Sequence, residues 1–252
     1  MNAGPPARSP GSAPDPAASP AAGTELAGLT SAEAGERAAR GAFLVVPVAS
    51  VEQHGPHLPL STDTDVAVAL CARLARADPA AVIAPPLAYG SSGEHQAFPG
   101  TLSIGSEALE LVLVELGRSA TCTFAGVLLV STHGGNAVAV RRAEQRLRAE
   151  SRDVRAWLAS WRGDAHAGRT ETSLQLALDP GRVRLDRAER GNTRPVAELM
   201  PALRESSVQA VSPNGVLGDP AGASAAEGGA LLAGLLADLL AAVRSWRAGE
   251  SG

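Results

Sequence analysis

The sequence predicts an α/β fold built on a mostly parallel sheet with helices over both faces. Three observations carry that expectation. Short β-rich apolar runs alternate along the chain with longer segments of helical composition. The run Val127-Leu128-Leu129-Val130 is apolar without a break, as suits a strand buried on both sides. Apolar residues make up 45% of the 252 positions, enough for a substantial core even though Ala and Leu supply much of it. No internal repeat or second-domain boundary is visible, so residues 23–248 are expected to form one domain.

The elements follow in order. Residues 1–22 are almost entirely Pro, Ala, Ser and Gly; they cannot build a core and are expected to be a disordered tail. Thr24 to Arg40 reads as a helix and Phe43–Val48 as the first core strand. Val66 to Ala77 is helical, with Val66, Leu70 and Leu74 on one face, and Val82–Ala84 is a short strand stopped by Pro85-Pro86. Tyr89 to Thr101 holds too many Gly and Pro for an element, and long loops of this kind are often functional. Ser106 starts a helix to about Ala120, Gly126–Val130 is the clearest strand, and Ala137 to Glu150 is a helix. Val154–Trp161 is a strand, a loop runs from Gly163, and a helix ends at Leu178. Residues 182–220 are mixed, with a turn at Ser212-Pro213-Asn214-Gly215. From Ser224 a helix runs to about Arg247, its apolar face made by Leu231/Leu235/Leu239 and Leu232/Leu236/Leu240.

Composition excludes some partners. A net charge of −4 without any Lys/Arg run argues against a nucleic-acid groove. Cys71 and Cys122 lie far apart in apolar surroundings and outside any CxxC pair, so buried free thiols in a reducing cytosol are expected. The N-terminus lacks the basic start and apolar core of a secretory signal. The Leu/Ala-rich C-terminal helix, broken by Gly234 and Asp238, reads as too polar for a membrane span. The protein therefore reads as cytoplasmic, without a membrane partner.

The chemistry concentrates between Ser50 and Asp63. Glu52 and His54, two residues apart, point to one side of an extended backbone. Asp63 lies beyond a Pro-containing turn that can bring it back. Two carboxylates and an imidazole suit a divalent ion such as Zn, Mn or Fe. The alternative is a polar turn at a strand end, with His54 and His57 at the surface. All five histidines, His54, His57, His95, His133 and His166, fall in loops after predicted strands, which in open α/β sheets share one ligand-binding rim. His133 opens His-Gly-Gly-Asn, where glycines let backbone approach a site closely, and Asn136 could cap the next helix. Glu171 falls in the first turn of a helix, where a carboxylate also suits the positive helix end. Asp164 and His166 could act in proton transfer, or Asp164 could orient His166. Glu52, His54, Asp63, His133 and Glu171 are enough for two ions sharing a carboxylate. Such a pair activates water and polarises an amide carbonyl, so hydrolysis is the natural reaction. No serine elbow or Cys–His pair competes.

Four ordered motifs resemble the creatininase (creatinine amidohydrolase) family. They are Glu52-Gln53-His54-Gly55-Pro56-His57-Leu58-Pro59 with Asp63, Phe98-Pro99-Gly100-Thr101, His133-Gly134-Gly135-Asn136, and His166-Ala167-Gly168 with Glu171-Thr172-Ser173. The resemblance covers about residues 40–245. It implies a three-layer α/β/α fold and a metal-dependent amidohydrolase, often a homo-oligomer. It further implies that Glu52 and His54 bind different metals, Asp63 bridges them and His133 completes one site. Creatininase itself carries a Glu where this chain has Gly135; members with the Gly-Gly version resemble enzymes that use a later glutamate, here Glu171. That departure leaves a single ion open and makes creatinine a poor expectation for the substrate. The stretches Gly191–Met200, Ala210–Pro220 and Gly222-Ala223-Ser224 resemble the mycofactocin-system branch of the family. This implies a peptidase that cuts a modified precursor peptide near its C-terminus, releasing a Val-Tyr-derived dipeptide during redox-cofactor biosynthesis. The alternatives are hydrolysis of a small cyclic amide or formamide, and a non-catalytic scaffold with a vestigial site.

Overall fold

The structure is a computed structural model and describes residues 24–249. The tail expected over residues 1–22 lies outside the described residues.

Four strands form one sheet: β1 (Phe43–Val48), β2 (Ala81–Ile83), β3 (Val127–Ser131) and β4 (Val154–Leu158). All pairings are parallel, in the order β2-β1-β3-β4, with Leu44 opposite Val127 and Val127 opposite Val154. Alternation along the strands sorts side chains to the two faces. Phe43 and Val45, with Leu128 and Val130, meet Val66, Leu70 and Leu74 of α2 (Thr62–Ala77), Leu174 of α5 (Arg169–Leu178) and Leu232 and Leu239 of α8 (Ala225–Arg247). Leu44, Val46 and Val48, with Val127 and Leu129, meet Leu109 and Leu113 of α3 (Ser106–Ala120) and Val140 and Leu147 of α4 (Ala137–Ala149). This is the expected α/β/α sandwich. Each fully buried Leu contributes about 1.5–3 kcal/mol relative to exposure, so the two cores hold β1 and β3 firmly. The loops that leave those strands inherit that rigidity.

Several boundaries differ from the sequence reading. The helix expected over Thr24–Arg40 is a short 3-10 turn at Leu26–Gly28 followed by α1 (Ser31–Ala39). Thr30 accepts the Glu33 N–H while Glu33 accepts the Thr30 N–H, a capping box that starts the helix there. Helix α2 begins at Thr62, not Val66, so Asp63 sits in its first turn. Strand β4 stops at Leu158, three residues before Trp161. The mixed region holds α6 (Val196–Glu205) and α7 (Val208–Val211). Cys71 is buried as expected, but Cys122 is exposed, because α3 ends at Ala120 and the chain turns on the surface before β3. Asn136 does not cap α4; it accepts the Ser91 N–H and donates to the Ala49 carbonyl, tying two rim loops together.

Helix α8 needs a correction as well. By length and composition it is apolar enough to cross a membrane, despite Gly234 and Asp238. In the fold its buried stripe packs on the sheet and α5, and Asp238 accepts the Trp157 indole N–H at 2.7 Å.

Candidate metal centre

The strand order turns around between β1 and β3. From β1 the chain passes to α2 on one face, and from β3 to α4 on the other, leaving a crevice at the carboxyl ends. Glu52 and His54 enter it from the loop after β1, Asp63 from α2, and His133 from the loop after β3. His166 and Glu171 enter from the loop after β4 and the first turn of α5. All six are buried.

Two groups of three share one carboxylate. Glu52, Asp63 and His133 form one, and His54, Asp63 and Glu171 the other; Glu52, His54 and His166 form a further overlapping group. His133 Nδ1 lies 3.4 Å from Asp63 Oδ2, and its Nε2 lies 3.2 Å from Glu52 Oε2. His54 Nε2 lies 3.8 Å from Asp63 Oδ2 and 3.9 Å from Glu171 Oε2. His166 Nδ1 lies 3.7 Å from Glu52 Oε1 and 3.9 Å from Glu171 Oε2.

Backbone carbonyls set the imidazole tautomers. A carbonyl only accepts, so the ring nitrogen facing it must carry hydrogen. His54 donates from Nδ1 to the Glu52 carbonyl (3.1 Å), His133 from Nε2 to the Ser91 carbonyl (2.9 Å), and His166 from Nε2 to the Gln53 carbonyl (2.8 Å). In each neutral ring the opposite nitrogen turns a lone pair to the carboxylates. Metal-binding histidines are oriented in this way.

The cluster calls for positive charge. Burial raises Glu52 most and Asp63 adds to it, pushing its carboxyl up to about 7 against the pull of His133 and His54. Burial opposes charge on His54, but Asp63, Glu171 and Glu52 outweigh it and push the imidazole up to about 10. Burial likewise opposes charge on His133 and is overcome by Glu52 and Asp63, so that ring is raised. Asp63 is held at about 2 in spite of burial, by His54, by His133 and by the Ser50 hydroxyl donating at 2.6 Å. Both Glu52 oxygens and His54 Nε2 are buried without a hydrogen-bond partner. An unpaired buried carboxylate is costly, and divalent cations would satisfy these atoms in place of protons. The donor set therefore fits a metal centre.

Gly135 explains the substitution noted in the sequence. A Cβ there would lie 2.2 Å from the Ser91 carbonyl oxygen and 2.4 Å from His133 Nε2. No side chain fits at 135, and a different carboxylate, that of Glu171, enters the crevice from α5.

Three other residues take unforeseen places. Asp164 does not meet His166; its Oδ2 accepts the Arg169 N–H at 2.6 Å and caps α5, although the residue still lines the cavity. His57 is buried, with Nε2 2.9 Å from Thr172 Oγ1, beside Glu171 in sequence, and burial and His54 push it down to about 4. His95 was only one of five loop histidines in sequence, yet its Nε2 stands 3.6 Å from Glu52 Oε1. Above the cluster opens a cavity of about 850 Å³. Val196, Met200 and Leu203 of α6, Val208 of α7 and Leu217 make part of its wall apolar.

A parallel sheet with a buried carboxylate–histidine centre at its switch point is the architecture of a creatininase-type amidohydrolase. Residues 27–243 match the creatininase family, described as creatinine amidohydrolase, and the chain belongs to it. It is 49% identical over 219 residues to the mycofactocin precursor peptide peptidase of Mycobacterium ulcerans, covering 83% of this chain and 87% of that protein. The protein of the same name from Mycolicibacterium smegmatis is 48% identical over 217 residues, covering 83% and 87%. Among solved structures, a type II creatininase mutant superposes with a TM-score of 0.76 at 26% identity, over 88% of this chain and 98% of that one. A manganese creatininase matches at 0.75 and a Zn-Zn creatininase mutant at 0.74, both at 25% identity and 88% of this chain, covering 98% and 97% of theirs.

Proposed function

We propose that this chain is a divalent-metal peptidase that cleaves the modified mycofactocin precursor peptide near its C-terminus, releasing a Val-Tyr-derived dipeptide in cofactor biosynthesis. The single observation that carries the reading is 49% identity to a peptidase of that name across most of both chains. Glu52, Asp63 and His133 would hold one ion, and His54, Asp63 and Glu171 a second, with Asp63 between them. Zn, Mn and Fe all suit such ligands, and creatininase relatives are named with Mn and with Zn. When bound, the ions supply Lewis acidity toward the scissile amide and ease ionisation of water.

The protein groups do the rest. His166, held through Nε2 by the Gln53 carbonyl, presents Nδ1 to the centre; it takes a proton from the attacking water and returns it to the leaving amine. Asp164 holds the start of α5 and so the placement of Glu171. The apolar wall takes up hydrophobic side chains of a peptide, which a small cyclic amide lacks. We further propose a cytoplasmic homo-oligomer.

Purified protein, before and after exhaustive chelation, should be assayed on the modified precursor peptide beside creatinine and formamides. Cleavage of the peptide that disappears with the metal is expected. Full activity after chelation would overturn the mechanism, and cleavage of only the small amides would overturn the substrate.

A further inference from the structure

The histidines around the centre are not equivalent. His54, His133 and His166 each donate to a backbone carbonyl and turn a lone pair inward, whereas His95 is wired the other way. Its partner is Gln53, a buried amide whose orientation the backbone decides. Gln53 Oε1 accepts the Gly55 N–H at 2.8 Å, and Nε2 donates to the Gly215 carbonyl at 3.1 Å. Exchanging oxygen and nitrogen would set donor against donor and acceptor against acceptor. Gly215 is required for this arrangement: it has φ +79°, and a Cβ there would lie 2.0 Å from Gln53 Oε1.

One amide hydrogen of Gln53 is left. Two ring nitrogens are in reach, His95 Nδ1 at 2.8 Å and His166 Nε2 at 3.1 Å. His166 Nε2 already donates to the Gln53 carbonyl, so it has no lone pair to offer. The hydrogen therefore goes to His95 Nδ1, and the neutral ring must carry its own hydrogen on Nε2. That N–H lies 3.6 Å from Glu52 Oε1, too far for a hydrogen bond to it, and His95 lines the cavity.

We infer that His95 is a further substrate-contacting residue: its Nε2–H, fixed by Gln53, donates a hydrogen bond to the oxygen of the amide being hydrolysed. The inference rests on the amide-hydrolase reading above and deepens it. As water adds, the carbonyl π pair moves onto that oxygen and the N–H bond to it strengthens, with no proton leaving the ring. A fixed donor aimed at developing charge costs no reorganisation at the moment of reaction, and losing one such donor typically lowers kcat on the order of 10²–10³-fold. In this role His95 is not a metal ligand.

The test compares wild type, His95→Ala and His95→Gln, each loaded with zinc, on the modified precursor peptide. His95→Gln keeps an N–H donor near the position of Nε2. Expected are a kcat for His95→Ala lower by about 10²-fold, recovery of most of it in His95→Gln, and zinc content equal to wild type in both. Unchanged kcat in His95→Ala, zinc lost with the side chain, or no recovery in His95→Gln would each overturn the inference. Should His95→Ala fail to fold, or wild type leave this peptide uncut, ring-nitrogen NMR of zinc-loaded, histidine-labelled wild type still decides. The His95 signal is expected with hydrogen on Nε2 at neutral pH, and hydrogen on Nδ1 would refute it. A peptide left uncut by wild type counts against the substrate reading alone.

Discussion

The floor of the cavity and its apolar wall are built by opposite means. On the floor several side chains are gripped from the backbone or a neighbour: Asp63 by Ser50, His133 by Ser91, His166 by Gln53. Asp63 stands in the first turn of α2, and His133 and His166 hang from loops leaving β3 and β4, whose strands sit in two dense cores. The wall comes from α6, α7 and Leu217, packed as a small satellite cluster, and Val196 remains 45% exposed. In the proposed function, reactivity belongs to the floor beside the two large cores and selectivity to the wall on the small cluster. Substitutions should separate the two: floor changes cost metal and kcat, and wall changes cost substrate affinity alone.

The sharpest break is expected at Asp63, which belongs to both ligand groups. Asp63→Asn should lose more than the roughly 10–100-fold that outer-shell partners cost, together with bound metal. Elemental analysis and kcat check this; full metal content would remove Asp63 from its shared place. Gly135→Ala should come next, because its Cβ overlaps the Ser91 carbonyl and the His133 ring. Overpacking of about 1–3 kcal/mol should lower Tm by roughly 2–12 °C, at about 2–4 °C per kcal/mol, and weaken metal retention. An unchanged Tm would show that the 134–136 turn can yield.

On the wall, Met200→Ala should raise KM for the modified peptide by about tenfold, the worth of a small apolar contact, with kcat and metal unchanged. A fall in kcat instead would mean that the wall also places the reacting amide. The smallest effect is expected far from both regions. Cys122→Ser, at an exposed turn, should shift stability by no more than about 0.5 kcal/mol and leave activity intact.

How much of this was legible in the sequence follows the same division. The floor was readable because its chemistry is carried by residue type: His and carboxylates after β-rich runs, which parallel sheets gather at one rim. The unbroken apolar runs of β1 and β3 gave the sheet in the same way. Boundaries set by single side chains were missed, as at Thr30, where one hydroxyl starts α1, and at Thr62, where polar residues open α2 a turn before its apolar face. Asp164 looked like a partner of His166 by nearness in sequence, yet the backbone N–H of Arg169 claims it. His95 stood in plain view, but its role depends on which end of Gln53 faces Gly215, 162 residues away, and no local pattern reports that. The wall was illegible because Val, Leu and Met in an irregular region look the same whether they face a core or a cavity.

The central claim is that the buried floor is a two-ion centre whose protons a metal displaces. Chelator-stripped protein titrated calorimetrically with zinc at about pH 6, 7 and 8, in buffers of differing ionisation heat, tests it most directly. His54, pushed up to about 10, holds its proton throughout this range, and Glu52, at about 7, is partly protonated. Each proton displaced makes apparent affinity rise by about tenfold per pH unit, so binding should tighten as pH rises and weaken as it falls. Two ions per chain, net proton release and affinity rising with pH are expected; a single ion, or affinity independent of pH with no protons released, would contradict the claim.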